Sequence, residues 1–355
     1  MTDHTKHLQQ QILAACRDNS ACRIEGGNSK AFIGNASNGE LISTAQHSGI
    51  ISYDASELVI TARSGTPLSE IQQALAANNQ QLAFEPPAFS EQATIGGSIA
   101  CNLSGPARAY LGAARDFVLG CRLINGKGEL LQFGGQVMKN VAGYDASRLM
   151  AGAYGTLGVL LEISLKVLPK PQSQITVKIP QVANDAILII NQLAAKNLPI
   201  TASCYLDHHL TIRLNSSQQN TVAASQFICK QTGGRVIEDD KGFWQSIREQ
   251  THQFFDSSTP VARLSVPACS QLDLAGEQLI EWGGALRWLK TEQDIDSLRD
   301  EIKPIGGHVT AYKNFKPSAE YFQPLDSSNK LLQQRLKQAF DPAAILNPGR
   351  LYKEF

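Results

Sequence analysis

Apolar positions along the chain follow two spacings, and each spacing predicts a different element. In residues 5–18, Leu8, Ile12 and Leu13 recur at helical spacing, which predicts an amphipathic helix. A second helix should start at Thr66-Pro67, because threonine is a favoured N-cap and proline fits the first helical turn. Short β-rich runs predict strands at residues 23–24, 41–43, 49–53, 58–62 and 81–84.

A hairpin and a glycine-rich segment follow. Residues 116–124 and 129–133 flank Gly126-Lys127-Gly128, which is a strong hairpin signal. Lys139-Asn140 and Tyr144-Asp145 should introduce a short helix before the glycines of residues 152–158. The apolar run Val159-Leu160-Leu161 then predicts a buried strand.

Pro169-Lys170-Pro171 marks the first expected domain boundary. Beyond it the pattern predicts a βαββαβ order over residues 175–238, the split unit of a ferredoxin-like half. A second round should follow, with strands near 261–266, 284–289 and 307–313 and helices near 240–250, 270–280 and 292–303. An amphipathic helix is expected at 327–340. The expected domains are therefore residues 1–170, 171–325 and a tail of 326–355 that returns to the first domain.

Two glycine stretches could hold an anion. The earlier is Glu25-Gly26-Gly27-Asn28-Ser29, and the later is Thr94-Ile95-Gly96-Gly97-Ser98. Adjacent glycines leave backbone N–H groups uncovered, so a negatively charged group such as a pyrophosphate can approach the main chain closely. Taken alone, either stretch could equally be a loop built for tight turns.

The ordered set of motifs carries more information than each motif by itself. Together with SGTPLSEI at 64–71 and ILNPGRLY at 345–352, the two loops resemble the FAD-binding domain of the vanillyl-alcohol-oxidase or p-cresol methylhydroxylase (PCMH) type. Over essentially the whole chain, the resemblance is to the E-subunit family of bacterial glycolate oxidases. It implies an α+β fold, with a PCMH-type FAD-binding domain of two α/β subdomains followed by a ferredoxin-like cap domain.

The resemblance also implies the residues that hold FAD. Related folds often tether the flavin through a histidine in the first loop, or through a cysteine; this loop reads Gly27-Asn28-Ser29, so FAD should bind non-covalently. Glu25 departs from the family pattern, and its carboxylate is unfavourable near a pyrophosphate unless it points away or bonds to a neighbour. The implied cofactor-binding residues are Glu25, Gly26, Gly27, Asn28, Ser29, Lys30, Pro87, Thr94, Ile95, Gly96, Gly97, Ser98, Asn102, Ser104, Gly105, Gly155, Thr156, Gly158, Val159 and Asn347.

Composition narrows the function classes. The 355 residues include 32 Lys and Arg against 32 Asp and Glu, so charge gives no case for nucleic acid or an anionic membrane surface. The N-terminal residues lack the continuous apolar core of a signal peptide, and no stretch approaches the length of a membrane-spanning helix. We therefore expect a cytoplasmic protein that meets a membrane only through partners.

The cysteines bear on electron transfer. The seven cysteines are scattered without a C-x-x-C, which excludes the usual clustered ligation of zinc or an iron–sulfur centre, and no metal site is expected. A reduced flavin would need oxygen or a partner to remove its electrons. The resemblance implies partners, namely a D-type flavin subunit and an F-type iron–sulfur subunit of glycolate oxidase.

Oxidation of a small 2-hydroxy acid requires a cation for the carboxylate and a base for the hydroxyl proton. The candidates are Arg263, Arg287 and His308, all on predicted strands, although each could equally be a salt-bridged or hydrogen-bonded structural residue. The H-x-G-D-G-N-x-H motif of D-type subunits and related D-lactate dehydrogenases is absent. Three alternatives stay open: a flavin-carrying electron-transfer or structural subunit without its own turnover, a stand-alone hydroxy-acid or sugar oxidase, and an NADPH-linked reductase.

Overall fold

The computed structural model describes residues 2–135, 146–237, 241–316 and 318–355. They divide into two units, each described here by itself. The first unit comprises Met1–Leu103, Ala113–Pro169 and Pro324–Phe355, and the second comprises Ser104–Gly112 and Lys170–Gln323. The predicted helix starts at Lys139-Asn140 and Tyr144-Asp145 lie outside the described residues.

The predicted helices and strands of the N-terminal half are largely confirmed. The main departure is residues 81–84, where a two-residue strand is followed by a buried turn instead of a longer strand. In chain order the elements are α1 (Thr5–Asp18), β1 (Cys22–Glu25), β2 (Glu40–Ser43), β3 (Ile50–Asp54), β4 (Val59–Arg63), α2 (Leu68–Ala76), β5 (Gln80–Gln81), α3 (Ile95–Cys101), α4 (Arg108–Leu111), β6 (Val118–Ile124), β7 (Leu130–Gly134), α5 (Ala146–Met150), β8 (Val159–Lys166) and β9 (Leu168–Pro169).

An antiparallel sheet of order β3-β4-β8-β6-β7 is the centre of the first unit. The predicted hairpin is its β6–β7 pair. Helices α2 and α3 contribute Leu68, Ile71, Leu75, Ile95 and Ile99 to a core with one set of buried strand residues. In a second core, α1 packs through Leu8 and Ile12 against residues of β6, β8 and the tail residues 345–346, whereas Leu13 of the predicted stripe is exposed. Burial of apolar surface stabilises both cores, by about 25 cal/mol for each Å² removed from water.

The second glycine stretch forms a short helix rather than an irregular loop. Thr94 is the N-cap of α3, and its Oγ1 accepts a hydrogen bond from the Gly97 N–H at 3.2 Å. Beside this helix, β1 and β2 form a parallel pair, and the first glycine stretch follows directly after β1. Both predicted anion-binding stretches are therefore attached to regular elements.

The remaining elements belong to the second unit, except for the final helix. They are β10 (Ser173–Pro180), α6 (Ala183–Ala194), β11 (Ile200–Leu206), β12 (His209–Ser216), α7 (Gln218–Thr232), β13 (Arg235–Ile237), α8 (Lys241–Arg248), β14 (Val261–Ser265), β15 (Glu277–Glu281), β16 (Leu286–Lys290), α9 (Ile295–Ile302), β17 (His308–Lys313) and α10 (Ser327–Phe340).

The strands β10 to β17 form one antiparallel sheet of order β13-β10-β12-β11-β15-β16-β14-β17. The predicted βαββαβ order is confirmed for β10 to β13. The strands β14 to β17 form a second half of the sheet, which joins the first where β11 pairs with β15. Counted outward from this junction, the order β15-β16-β14-β17 corresponds strand by strand to β11-β12-β10-β13. The repeat differs in one respect. No helix is present between β14 and β15 in this described segment.

The helix predicted at 270–280 is therefore wrong. Residues 277–281 form β15, which pairs with β16 on one side and with β11 on the other. Gly276 precedes this strand with a φ of +135°, a value that glycine adopts readily and that an α-helix does not allow. Pairing on both edges outweighs the weak helical preference of this sequence.

Candidate functional site

A cavity of about 310 Å³ lies in the first unit, and residues of both glycine stretches line it. The glycine segment of residues 153–155 and the tail residues Asn347 and Arg350 complete the lining. More than half of the predicted cofactor-binding residues meet here. Those that line the cavity are Glu25, Gly26, Gly27, Asn28, Ser29, Lys30, Thr94, Gly96, Gly97, Gly155, Gly158 and Asn347.

Gly26 and Gly27 have to be glycines, because the first stretch passes very close to the residues of the second. A Cβ atom on Gly27 would lie 1.5 Å from the Gln92 carbonyl oxygen, and one on Gly26 would lie 2.5 Å from Thr94 Oγ1. Real Cβ atoms do not approach so closely, so only glycine allows the contact. Gly97 is different, because its nearest neighbour would be Thr94 Oγ1 at 3.3 Å. At Gly97 the missing side chain leaves room on the cavity side.

The first stretch offers a run of uncovered backbone donors. The N–H groups of Gly26, Gly27, Asn28 and Ser29 donate no hydrogen bond to any residue that the structure describes. In the second stretch, Gly96 N–H donates to the Ser64 carbonyl at 2.8 Å, and Gly97 N–H is bonded to Thr94 as above. Successive unbonded N–H groups form a concave anion site, so the expectation for uncovered donors applies to residues 26–29.

The charges of the cavity wall favour an anion. Within the described ranges, three cationic side chains line it, Arg23, Lys30 and Arg350, with Glu25 as the carboxylate. The Arg23 guanidinium is hydrogen-bonded to the Glu25 carboxylate. The departure of Glu25 from the family pattern is thus accompanied by a neighbouring arginine, which sequence reasoning missed although it stands only two positions away.

The wall also contains a polar atom that needs a partner. Ser64 is 1% exposed, and its Oγ has no hydrogen-bond partner among the described residues. A buried hydroxyl without a partner costs free energy unless something bonds to it. Donors at 26–29, a cationic wall and the Ser64 hydroxyl together fit a ligand that carries a pyrophosphate and further polar groups. Thr44, Cys101 and Tyr154 also line the cavity and were not predicted.

The thiol of Cys101 bears on covalent attachment. Burial raises the pKa of Cys101 to about 11, although Lys30 and Arg350 act in the opposite direction. A thiol needs to be a thiolate to act as a nucleophile. At neutral pH this thiol is protonated, which supports the expectation that a flavin here is bound non-covalently.

The other predicted cofactor-binding residues do not line this cavity. Ile95 and Val159 belong to the apolar cores, and the Ser98 and Thr156 hydroxyls donate to the carbonyls of Thr94 and Ala153. Asn102 ends α3 and accepts from the Arg115 N–H at 3.1 Å. The remaining three are Pro87, which is buried, and Ser104 and Gly105, which belong to the second unit.

The three candidate catalytic residues occupy two faces of the second unit's sheet. Arg263 of β14 is paired with Thr310 of β17, and Ser265, two positions after Arg263, is paired with His308. Side chains two positions apart on a strand lie on the same face, so Arg263 and His308 share one face. Arg287 is paired with Leu264 and therefore lies on the other face. There it is 1% exposed, and its guanidinium donates to the carbonyls of Gly284 and Ser270.

Aromatic rings surround Arg263. Its guanidinium carbon lies 5.4 Å from the Trp282 ring centroid and 5.8 Å from that of Trp288. Arg108, which was not predicted, lies 4.4 Å from the Trp282 centroid, and the indole N–H of Trp282 donates to the Gly105 carbonyl at 3.1 Å. Two arginines beside one tryptophan form a cationic surface suited to a small carboxylate.

Desolvation shifts the pKa values of two candidates. The pKa of His308 is lowered by partial desolvation of the ring and by repulsion from Arg263, so the imidazole is neutral at pH 7 and able to accept a proton. The pKa of Arg287 is lowered by burial. Among the described residues, no group of three or more His, Cys, Asp or Glu side chains could hold a metal ion.

The two-stretch cavity on this α+β fold is typical of FAD-binding oxidoreductases. Residues 2–134 match the FAD binding domain family. The chain is 44% identical over 353 residues to glycolate oxidase subunit GlcE of Escherichia coli strain K12, covering 99% of this chain and 98% of that protein. The chain therefore belongs to the glycolate oxidase E-subunit family of FAD-linked oxidoreductases, and its cofactor is FAD.

Two further likenesses were found, one to a sequence over part of its length and one to a fold. Glycolate oxidase subunit GlcD of Bacillus subtilis strain 168 is 29% identical over 197 residues, covering 54% of this chain and 42% of GlcD. A solved structure of alkyldihydroxyacetonephosphate synthase matches with a TM-score of 0.69 at 16% identity, covering 98% of this chain and 75% of that one. The predicted family, the α+β fold class with its PCMH-type domain, and the FAD cofactor are confirmed. In the part of the chain described, no helix is long and apolar enough to cross a membrane.

Proposed function

We propose that this chain is the FAD-binding subunit of a glycolate oxidase (glycolate dehydrogenase) complex. The complex would oxidise glycolate to glyoxylate, accept D-lactate as well, and pass the electrons to an iron–sulfur subunit. The observation that carries the proposal is the 44% identity to the GlcE subunit over nearly the full length of both chains. The cationic, aromatic face around Arg263 supports a small carboxylate as substrate.

In this proposal the residues of the second unit handle the substrate. Arg263 binds the carboxylate, because a guanidinium fork matches its two oxygens. His308, neutral at pH 7, takes the hydroxyl proton as the substrate becomes a 2-oxo acid. FAD, held by the residues of the first unit, would supply the two-electron acceptor for the hydride that leaves the hydroxyl-bearing carbon, so that the oxidation balances.

The residues of the first unit hold the cofactor. The N–H groups of residues 26–29 and the cations Lys30 and Arg350 bind the pyrophosphate, and the Ser64 hydroxyl gains a partner in the ligand. The ion pair with Arg23 compensates the negative charge of the Glu25 carboxylate next to the pyrophosphate site. The proposed partners are a D-type flavin subunit and an F-type iron–sulfur subunit, and any membrane contact is made through them.

The test is an anaerobic reduction of the purified chain. Glycolate or D-lactate is added without oxygen, and the visible absorbance of the bound flavin is followed. Bleaching by glycolate is the expected result, and it should be lost in Arg263→Met and strongly slowed in H308Q. Arg235→Met is the matched control, because Arg235 is exposed on the edge strand β13 of the same sheet. Bleaching that persists in R263M would contradict the role of Arg263.

A second candidate is a flavin-carrying electron-transfer or structural subunit without its own turnover. The bonding of Arg287 to two backbone carbonyls favours it, because one of the three candidate catalytic residues is then committed to the fold. Flavin that stays oxidised in the isolated chain, while the reconstituted complex oxidises glycolate, would support this candidate. Rapid reoxidation by oxygen without partners would instead support a stand-alone oxidase.

A further inference from the structure

Asn347 connects two separate parts of the cavity wall. Its Oδ1 accepts a hydrogen bond from the Ile24 N–H at 2.7 Å, and its Nδ2 donates to the Tyr154 carbonyl at 2.6 Å. Its own N–H donates to the Cys22 carbonyl at 2.9 Å. The residue is 5% exposed, so these bonds are shielded from water. Both ends of the side-chain amide are therefore occupied by the protein itself.

The two bonded segments carry different groups of the FAD site. Ile24 lies in β1, two positions before residues 26–29, whose N–H groups have no partner among the described residues and which line the cavity. Tyr154 immediately precedes Gly155, and both also line it. The separation between these two segments is one dimension of the cavity. A bridge of fixed length across them is a means of setting that separation.

The backbone at the bridge adopts conformations that need external support. Asn347 has φ +44 and Tyr154 has φ +52, in the left-handed region that non-glycine residues seldom occupy. Such conformations persist only when the surrounding bonds hold them, and they concentrate at functional sites. At Tyr154, the carbonyl is held by Asn347 and the N–H by the Ala100 carbonyl at 3.0 Å.

We propose that Asn347 is a positioning residue that sets the separation of the two walls of the FAD cavity. The family resemblance implied a direct cofactor contact for this residue, whereas its amide is used to join β1 to the segment before Gly155. Its contribution to FAD affinity is then indirect, through the placement of residues 26–29 and of residues 153–155. The proposal rests on FAD as the cofactor and does not depend on which substrate is oxidised.

The test compares two identical substitutions at asparagines of similar backbone conformation. Asn347→Gly removes both bridging bonds and keeps the left-handed backbone without strain. Asn79→Gly is the matched control, because Asn79 has φ +53, is exposed and lies in the same unit. The apoprotein of each variant is titrated with FAD well below its melting temperature. N347G should bind FAD about tenfold more weakly, equivalent to about 1.4 kcal/mol, and N79G should bind it as the wild type does.

Hydrogen exchange supplies a second readout, which shows whether the loss of the bridge loosens β1 locally or the whole unit. In N347G, the Ile24 amide loses its acceptor, and a peptide covering residues 22–26 should exchange faster in the apoprotein while peptides of α2 remain unchanged. If N347G does not accumulate as folded protein, Asn347→Ser is the second variant, because its uncharged side chain is too short to reach both Ile24 and Tyr154 and adds no charge to the cavity. The same weakening of FAD binding is expected of N347S.

Two results would overturn the proposal. Wild-type FAD affinity in N347G, whatever its melting temperature, would mean that the asparagine serves stability alone. Equal weakening in N79G would mean that any such substitution in this unit affects FAD binding. A wild-type chain that binds no FAD would overturn the cofactor assignment as well, and the same titration distinguishes that failure from the other two.

Discussion

Lys337 and Asp341 form a buried ion pair at the end of α10. The ammonium donates to Asp341 Oδ2 at 2.8 Å, to the Thr156 carbonyl at 2.9 Å and to the Leu346 carbonyl at 2.8 Å, so all three of its protons are bonded. The carboxylate also accepts the N–H groups of Ile345 and Leu346. The Lys337 and Asp341 side chains are 9% and 0% exposed.

Lys337→Met should therefore destabilise the first unit strongly. The methionine fills a similar volume, but it leaves the Asp341 carboxylate charged and without its cation. Breaking a buried pair in this way costs about 3–5 kcal/mol, a large part of the roughly 5–15 kcal/mol that stabilises a typical domain. The double variant K337M/D341N should recover part of this loss, because the uncompensated charge has been removed.

The assay is urea unfolding followed by two signals. Release of FAD, seen as a rise in flavin fluorescence, reports on the first unit. Tryptophan fluorescence reports on the second, since Trp244, Trp282 and Trp288 all belong to it. The midpoint of FAD release should fall in K337M by the amount that corresponds to several kcal/mol.

Lys330→Met is the matched control on the same helix. Lys330 pairs with Glu354 at 2.7 Å, but the two side chains are 39% and 49% exposed. An exposed pair contributes about 0–1 kcal/mol, so K330M should be nearly neutral. A cost below about 1 kcal/mol for K337M, or a double variant less stable than K337M itself, would refute the reasoning about buried charge.

Three further predictions concern the cofactor and substrate residues. Gly97→Ala should change the stability of the apoprotein little, because the tight contact of the new methyl with Thr94 Oγ1, at 3.3 Å, is offset by the higher helix propensity of alanine; it should weaken FAD binding in a titration, because Gly97 lines the cavity. Arg23→Met should weaken FAD binding by leaving the Glu25 carboxylate unpaired, and adding E25Q should restore affinity in the same titration. For His308, kcat/KM for glycolate should rise with pH through an apparent pKa below the ordinary 6.5, because the lowered pKa favours the neutral base, and H308Q should abolish this dependence.

The sequence predicted those elements whose conformation depends on residues close to one another in the chain. Helix α1, the β6–β7 hairpin and the glycines at 26–27 were readable because their spacing and turn residues lie within a few positions of one another. The strand β15 was not, because its conformation depends on pairing with β11 and β16.

The same distinction applies to the candidate site. The first anion-binding stretch was predicted from its own residues, but the occupied N–H groups of Gly96 and Gly97 depend on Ser64 and on the helix that Thr94 caps. The bridging role of Asn347 depends on residues 323 and 193 positions away. No local pattern carries such information, since the contacts exist only after the chain has folded.

The distance in sequence between Ile24 and Asn347 also has a consequence for biosynthesis. Ile24, which precedes the proposed pyrophosphate-binding residues, leaves the ribosome early, whereas its bonding partner Asn347 follows it by 323 positions. The hydrogen bond between them is a non-local contact, and such contacts form late in folding. On the proposed role of Asn347, the chain should therefore reach its full affinity for FAD only after its synthesis has passed residue 347.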